Sequence, residues 1–365
     1  MMLYEIALTF IKGIGDVTIR SLLSHFGSAE EIFKANKHSL MKIPGIGEKT
    51  ARSILDHQAF DRAEEELKFI ERYKIQPLFI GHKDYPKRLL NCDDAPFMLY
   101  YKGNADLNKK KVLAVVGTRN ATPYGIQFCD TLIEGLKSHD MLVVSGLAYG
   151  IDIASHKAAL AHGLPTIGIL GHGLDRIYPA LHRKTAEKML EQGGLLTEFP
   201  SASNPERANF PKRNRIIAGM ADAVIVVEAT RTGGALITAE IANTYNKDVF
   251  AVPGRVDDEF SEGCNFLIKT NRASVLTRPE DIEYIMGWFE VDKKTVANNQ
   301  LKMPLNLTAD EQKIVALIME NDQMGIDEIQ FSLNLSQSKV AFTLLNLEMN
   351  GVLISLPGKR YRLNA

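Results

Sequence analysis

Lys212, Arg213 and Arg215 fall within four positions, with Asn214 between them, in the run FPKRNRIIAG at 210–219. Cations and an amide at the start of a helix suit an anion. The first backbone N–H groups of a helix lack partners, and its dipole favours negative charge there. Phe210 and Pro211 before the cluster and RIIAGMADAVIVVEA after it set the patch against a buried strand. A second candidate is VVGTRNATPYG, 115–125, in which an apolar run ends at Gly117 and Pro123 marks a helix start. This is the setting of a phosphate-binding turn, yet neither G-x-G-x-x-G nor G-x-x-x-x-G-K-[ST] is present. Arg119 stands where those loops need small residues. An arginine there can fork onto a phosphate, whereas a lysine acts as a point charge.

Residue sets that would support catalysis are weak. Asp152 and His156 are spaced i,i+4 with no third metal ligand in the pattern. His172, in GHGLD, reads as a turn residue, and Ser145 lacks a G-x-S-x-G setting. No catalytic residue, metal or cofactor is expected. TGGALITAE (232–240) partly overlaps the P-G-G-x-G-T-x-x-E motif of lysine-decarboxylase-like nucleotide phosphoribohydrolases. Gly233, Gly234 and Glu240 fit it, but Thr232, Leu236 and Ile237 put bulk in the phosphate cradle. A phosphoribohydrolase-like enzyme is therefore an alternative to a binding protein.

The elements that must position these groups alternate from 111 to about 290. Strands are expected at 111–117, 141–145, 165–170, 194–198, 223–228 and 248–252. Helices are expected at 123–138, 151–162, 180–192, 210–219 and 233–245. That order predicts an α/β fold, a Rossmann-like, doubly wound, mainly parallel sheet, with ligands gathered outside the carboxyl ends of the strands. Four segments converge there: Gly117-Thr118-Arg119, Ser145 to Gly150, the cationic run, and TGGALITAE. Residues 75–105 read as an irregular, proline-containing connection.

Two flanking pieces are expected. IKGIGDVTIRSLL (11–23) and IPGIGEKTARSIL (43–55) match at eight of thirteen positions, 32 residues apart. Each has the apolar-x-Gly-Ile-Gly entry of a helix-hairpin-helix, whose free N–H groups can meet a DNA phosphate; Lys12 and Lys49 lie beside the hairpins. The expected division is a helical helix-hairpin-helix (SAM-like) domain at 1–75, a Rossmann-like domain at 80–290, a linker at 292–306 and a winged-helix domain at 307–365. In the last, 305–365 hold seven acidic and five basic residues, and the recognition helix SQSKVAFTLLNLEMN has one lysine and one glutamate. A major-groove reader carries more cationic and amide reach, which weighs against a winged-helix transcription regulator. Lys359, Arg360 and Arg362 could still touch a backbone from the wing.

The net charge of −1 confines any nucleic-acid site to a local patch. Cys92, Cys129 and Cys264 are odd in number and form no C-x-x-C, which favours a reducing cytoplasm. No apolar run reaches the ~20 residues of a membrane span. MMLYEIALTF lacks the basic start of a signal peptide.

Taken together, VVGTRNATPYG, SGLAYGIDIASHKAAL, LGHGLDRIYP, TEFP, FPKRNRIIAGMADAVIVVEA, TGGALITAEIA and VFAVPG, in this order, strongly resemble the DNA-processing protein A family, also called DprA or Smf. YPKRLLNCDDAPFMLYYKG upstream and SEGCNFLI downstream extend the resemblance over about 80–270. One departure is TGG at 232–234, where the family more often has Ser-Gly. The resemblance implies a non-catalytic Rossmann-like protein that binds and protects single-stranded DNA. It also implies that the protein loads RecA recombinase during natural transformation and forms a homodimer. Its phosphate pocket would comprise Gly117, Thr118, Arg119, Ser145, Gly146, Lys212, Arg213 and Asn214, and Phe210 and Tyr149 are candidates for stacking on bases.

Overall fold

In the computed structural model, residues 2–288, 307–321, 323–333, 335–356 and 360–364 are described. The linker expected at 292–306 and Lys359 lie outside them. The chain divides into two compact units, Met1–Trp288 and Phe289–Ala365.

The first unit begins with six helices: α1 (Met2–Thr9), α2 (Asp16–Phe26), α3 (Ala29–Lys34), α4 (Lys37–Met41), α5 (Glu48–Leu55) and α6 (Ala59–Tyr73). The two Gly-Ile-Gly segments form the turns entering α2 and α5. Gly13 and Gly45 take φ of 81° and 84°, a region a side chain disfavours, so the first glycine of each repeat is required by the turn.

Nine strands follow: β1 (Gln76–Phe79), β2 (Met98–Gly103), β3 (Val112–Val116), β4 (Leu142–Ser145), β5 (Thr166–Ile169), β6 (Gly193–Thr197), β7 (Ala223–Val226), β8 (Asp248–Ala251) and β9 (Ser274–Val275). Between and after them run α7 (Pro123–Gly135), α8 (Ile151–Ala161), α9 (Arg183–Glu191), α10 (Asn209–Met220), α11 (Gly234–Thr244), α12 (Glu259–Lys269) and α13 (Pro279–Met286). The sheet order is β1-β2-β6-β5-β4-β3-β7-β8-β9. From β6 across to β9 the strands pair in parallel, and β1 and β2 add antiparallel. The stretch expected to be irregular thus supplies two strands. Their pairing is with each other and with β6, so their own short, proline-bearing sequence shows little of it.

Alternation along each strand divides the core between the two faces of the sheet. On β3, Val112, Ala114 and Val116 face the layer of α10, α11 and α12. Leu113 and Val115 face α7, α8 and α13. On β2, Leu99 and Tyr101 join the first of these cores, while Met98 and Tyr100 pack into the helical amino-terminal core with Ile6, Leu8 and Ile54. The first 75 residues and the sheet are therefore one compact body.

In the second unit, α14 (Ala309–Asn321), α15 (Ile326–Leu333) and α16 (Gln337–Met349) pack on a three-stranded sheet. Its strands are β10 (Gln323–Gly325), β11 (Leu353–Leu356) and β12 (Arg360–Leu363), in the order β10-β12-β11. Ile314, Ile318, Leu344 and Leu347 form its core, completing a winged helix.

Candidate functional site

The order of winding reverses at β3, which lies between β4 and β7, so a ligand crevice is expected between the loops after β3 and β7. Here the protein fills part of it. The Thr118 N–H donates to the Glu228 carbonyl at 2.7 Å. The Glu228 carboxylate, on a residue 2% exposed, accepts from the Thr122 N–H at 2.9 Å and from the Thr122 hydroxyl. A Cβ on Gly125 would lie 2.4 Å from that carboxylate. The amino terminus of α7, where a dinucleotide fold would seat its pyrophosphate, already holds an anion of its own. This is why the turn after β3 can dispense with a glycine-rich sequence.

A buried guanidinium lies beside it. Arg213, on the first turns of α10, is 4% exposed, and its Nε and Nη1 have no hydrogen-bond partner among the described residues. Its guanidinium occupies the space over Gly146, where a Cβ would stand 1.5 Å from Nη1. Burial lowers the Arg213 pKa to about 10; Asp152 opposes that shift and Arg119 adds to it. The Asp152 carboxylate accepts from the Gly146 and Ala148 N–H groups at 3.1 and 3.3 Å and forms no direct ion pair with Arg213. Burial raises the Asp152 pKa, against the pull of Arg213. A buried cation with idle donors and only a distant counter-charge is costly unless something else uses those donors.

Around Arg213 the structure gathers most of the residues expected at the site. Arg119 stacks on the Phe210 ring with its guanidinium carbon 5.6 Å from the centroid, and forms no ion pair among the described residues. Lys212 is exposed, and the Asn214 amide donates to the Gly234 carbonyl at the start of α11 at 3.5 Å. Gly117 and Thr118 form the floor, where Thr118 accepts from the Ile151 N–H at 3.1 Å. Ser145 is fully buried and donates to the Val115 carbonyl at 2.6 Å, so it shapes the loop from beneath. Tyr149 is 44% exposed and meets His182 edge-on at 5.0 Å, leaving ring surface to solvent. Phe210 also lies 6.1 Å from Tyr178.

Arg215 does not join this group. At about 100° per residue it projects from the side of α10 opposite Arg213. It pairs with Glu198 and with Asp16 at 3.2 Å, and donates to the Asp94 carbonyl at 2.6 Å. The cluster of three cations read from sequence therefore divides: Arg213 turns inward beside Gly146, Arg215 anchors the helix, and Lys212 is exposed, near enough to Glu198 to favour its charged form. Asp16 heads α2 and also accepts from the Phe97 N–H at 2.9 Å, so the first hairpin is docked on the sheet. The second stays exposed, with Glu48 paired to Lys37 and Arg52.

Two buried histidines bond through Nδ1 and leave Nε2 without a partner among the described residues. His156 is fully buried against the Thr166 hydroxyl at 2.7 Å, and burial lowers its pKa to about 3. Burial also depresses His172. Among the described residues no cluster of His, Cys, Asp and Glu could hold a metal, and no helix is long and apolar enough to cross a membrane. In the winged helix, Lys339 on α16 pairs with Asp310 and Arg360 with Glu328, while Arg362 is exposed. The outer face of α16 exposes Phe342, Leu345 and Met349, an apolar stripe unlike a base-reading surface.

Comparison with known proteins bears on all three parts. The family described as DNA recombination-mediator protein A matches residues 76–286, a SAM-like helix-hairpin-helix tandem matches 5–57, and a DprA winged helix domain matches 302–359. The chain is 32% identical to Protein Smf of Synechocystis sp. over 98% of both chains. It is 42% identical to DNA processing protein DprA of Streptococcus pneumoniae over 54% of this chain and 70% of the other. Among solved structures, DNA processing protein A from S. pneumoniae matches with a TM-score of 0.68 at 32% identity, covering 78% of this chain and 98% of that one. DNA processing protein A from Helicobacter pylori, solved in a study of its single-stranded DNA binding mode, matches with a TM-score of 0.54 at 29% identity, covering 60% and 98%.

Proposed function

This chain belongs to the DNA recombination-mediator protein A family, and on that footing we propose that it binds single-stranded DNA without sequence preference and acts as a non-catalytic recombination mediator. The observation that carries the reading is Arg213, a buried guanidinium with idle donors at the meeting point of three loops and a helix amino terminus. Backbone phosphates of a single strand use such donors. Arg119 and Lys212 extend the charge outward, and Phe210 and Tyr149 offer faces on which any base can stack. Gly117, Thr118, Gly146 and Asn214 complete the pocket, with Ser145 supporting it.

In this reading the protein protects incoming strands in the cytoplasm and hands them to RecA recombinase as a homodimer, without a cofactor. The unit spanning residues 1–288 should bind single-stranded oligonucleotides more tightly than duplexes of the same length, at several salt concentrations. Equal or tighter duplex binding would move the primary site to the second hairpin or the winged helix. A phosphoribohydrolase would instead release free base from nucleoside monophosphates, which this reading excludes.

A further inference from the structure

A second cationic feature lies outside the pocket. Helices α8 and α9 leave between them a groove of about 820 Å³ lined by Lys157, Lys184, Lys188, Thr185, Glu191 and Gln192. Both helices start at the pocket end of the sheet. The first residue of α8, Ile151, bonds Thr118, while His182, just before α9, bonds the Leu147 carbonyl at 2.9 Å and meets Tyr149. The groove therefore runs along two helices whose starts lie at the pocket end.

Two cations at its near end sit against their helix dipole, while Lys188 lies in the last turn of α9. Arg183 and Lys184 occupy the first turn of α9, where the helix dipole disfavours cations, and that turn has no acidic residue. Lys184 and Lys188 are like charges at i,i+4, and Lys157 faces them across the groove. All four are exposed, and among the described residues none pairs with a carboxylate. Cations without carboxylate partners, converging on a groove between two helices that both start beside the Arg213 loops, fit an extended polyanion.

We propose that the α8–α9 groove is a second phosphate-binding track, which carries the single strand onward from the Arg213 pocket past Tyr149. The proposal rests on the single-strand reading above. It separates two contributions, a short oligonucleotide held by the pocket alone and a longer one held by pocket and groove together.

The test replaces Lys157, Lys184 and Lys188 by glutamine in the full chain, with oligo-dT of about 6 and about 30 nucleotides as probes, below and above the reach of a single small site. The variant should bind the short probe as the parent does. It should lose at least about tenfold on the long probe at low salt, with a log–log salt slope shallower by about 2, or about 0.7 for each of three phosphates. Its melting temperature should hold or rise, because like charges are relieved. Lysine-to-arginine replacements at the same positions should keep the long-probe affinity. Unchanged long-probe affinity and slope in a variant that still binds the short probe would overturn the proposal. A parent that binds neither probe would overturn the pocket reading, and the groove with it.

Discussion

Replacing Arg213 by methionine removes the guanidinium while leaving an unbranched chain in the space over Gly146. Two consequences can be separated. The first is on stability: Asp152, 7% exposed, loses its nearest buried cation. The two groups lie beyond 4 Å, so at an effective dielectric near 20 the lost attraction is below about 4 kcal/mol. The ionised carboxylate is the disfavoured form, so the loss should grow as pH rises. The second consequence is on binding. If Arg213, Arg119 and Lys212 each neutralise one phosphate, the salt slope on a short oligonucleotide is about −2.1, and raising salt from about 50 to about 200 mM weakens binding about 20-fold. With Arg213 gone the slope is about −1.4 and the same change costs about sevenfold. Adding Asp152→Asn removes the stranded carboxylate, so the double variant should recover stability without recovering affinity. Asp152→Asn alone should bind tighter than the parent, because the cation then faces the ligand without a rival. Fluorescence anisotropy across salt, with thermal melts on the same samples, reads both quantities. Recovery of affinity and slope in the double variant would refute the reasoning, since the cation would then have served only the fold.

Gly146→Ala should abolish short-oligonucleotide binding while the protein stays folded, because the new Cβ falls on Arg213 Nη1 and displaces a side-chain tip; retained affinity in an anisotropy titration would refute this. Glu198 is pushed up to about 7 from its ordinary 4.5, chiefly by burial, with Arg215 opposing and Asp16 reinforcing. Burial makes its ionised form costlier in the folded state, so stability should fall as pH rises from 4.5 towards about 7. Glu198→Gln should flatten that decline in urea titrations at pH 5, 6 and 7, and an unaltered decline would count against the assignment. Residues 1–288 alone should keep short-oligonucleotide affinity within about tenfold of the full chain, because the tail's Lys339 and Arg360 are already paired and release few counterions; a larger loss by a folded fragment would place the site elsewhere.

The parallel strands were legible because β3 and β7 are continuous apolar runs, and β4 and β5 nearly so, as strands buried on both faces must be. The start of α7 was legible from Pro123, and the Gly-Ile-Gly repeats announced their turns. The cationic cluster could be placed on a helix start, because charge, cap and period are all set within a few residues. Which cations face the ligand was a different matter. Helical spacing separates Arg213 from Arg215, but Glu198 and Asp16 decide which side turns inward, and Asp16 is 199 residues from Arg215. Glu228 fills the crevice from 106 residues beyond Thr122. Gly146 makes room for a guanidinium that no motif around it announces. The strands β1 and β2, and the groove between α8 and α9, depend in the same way on partners remote in the chain. Local contacts leave a period or a cap in the sequence that forms them. A buried charge and the hole that receives it lie on separate elements, and neither element's own pattern changes when they meet; only the packing of the sheet's two faces brought them together.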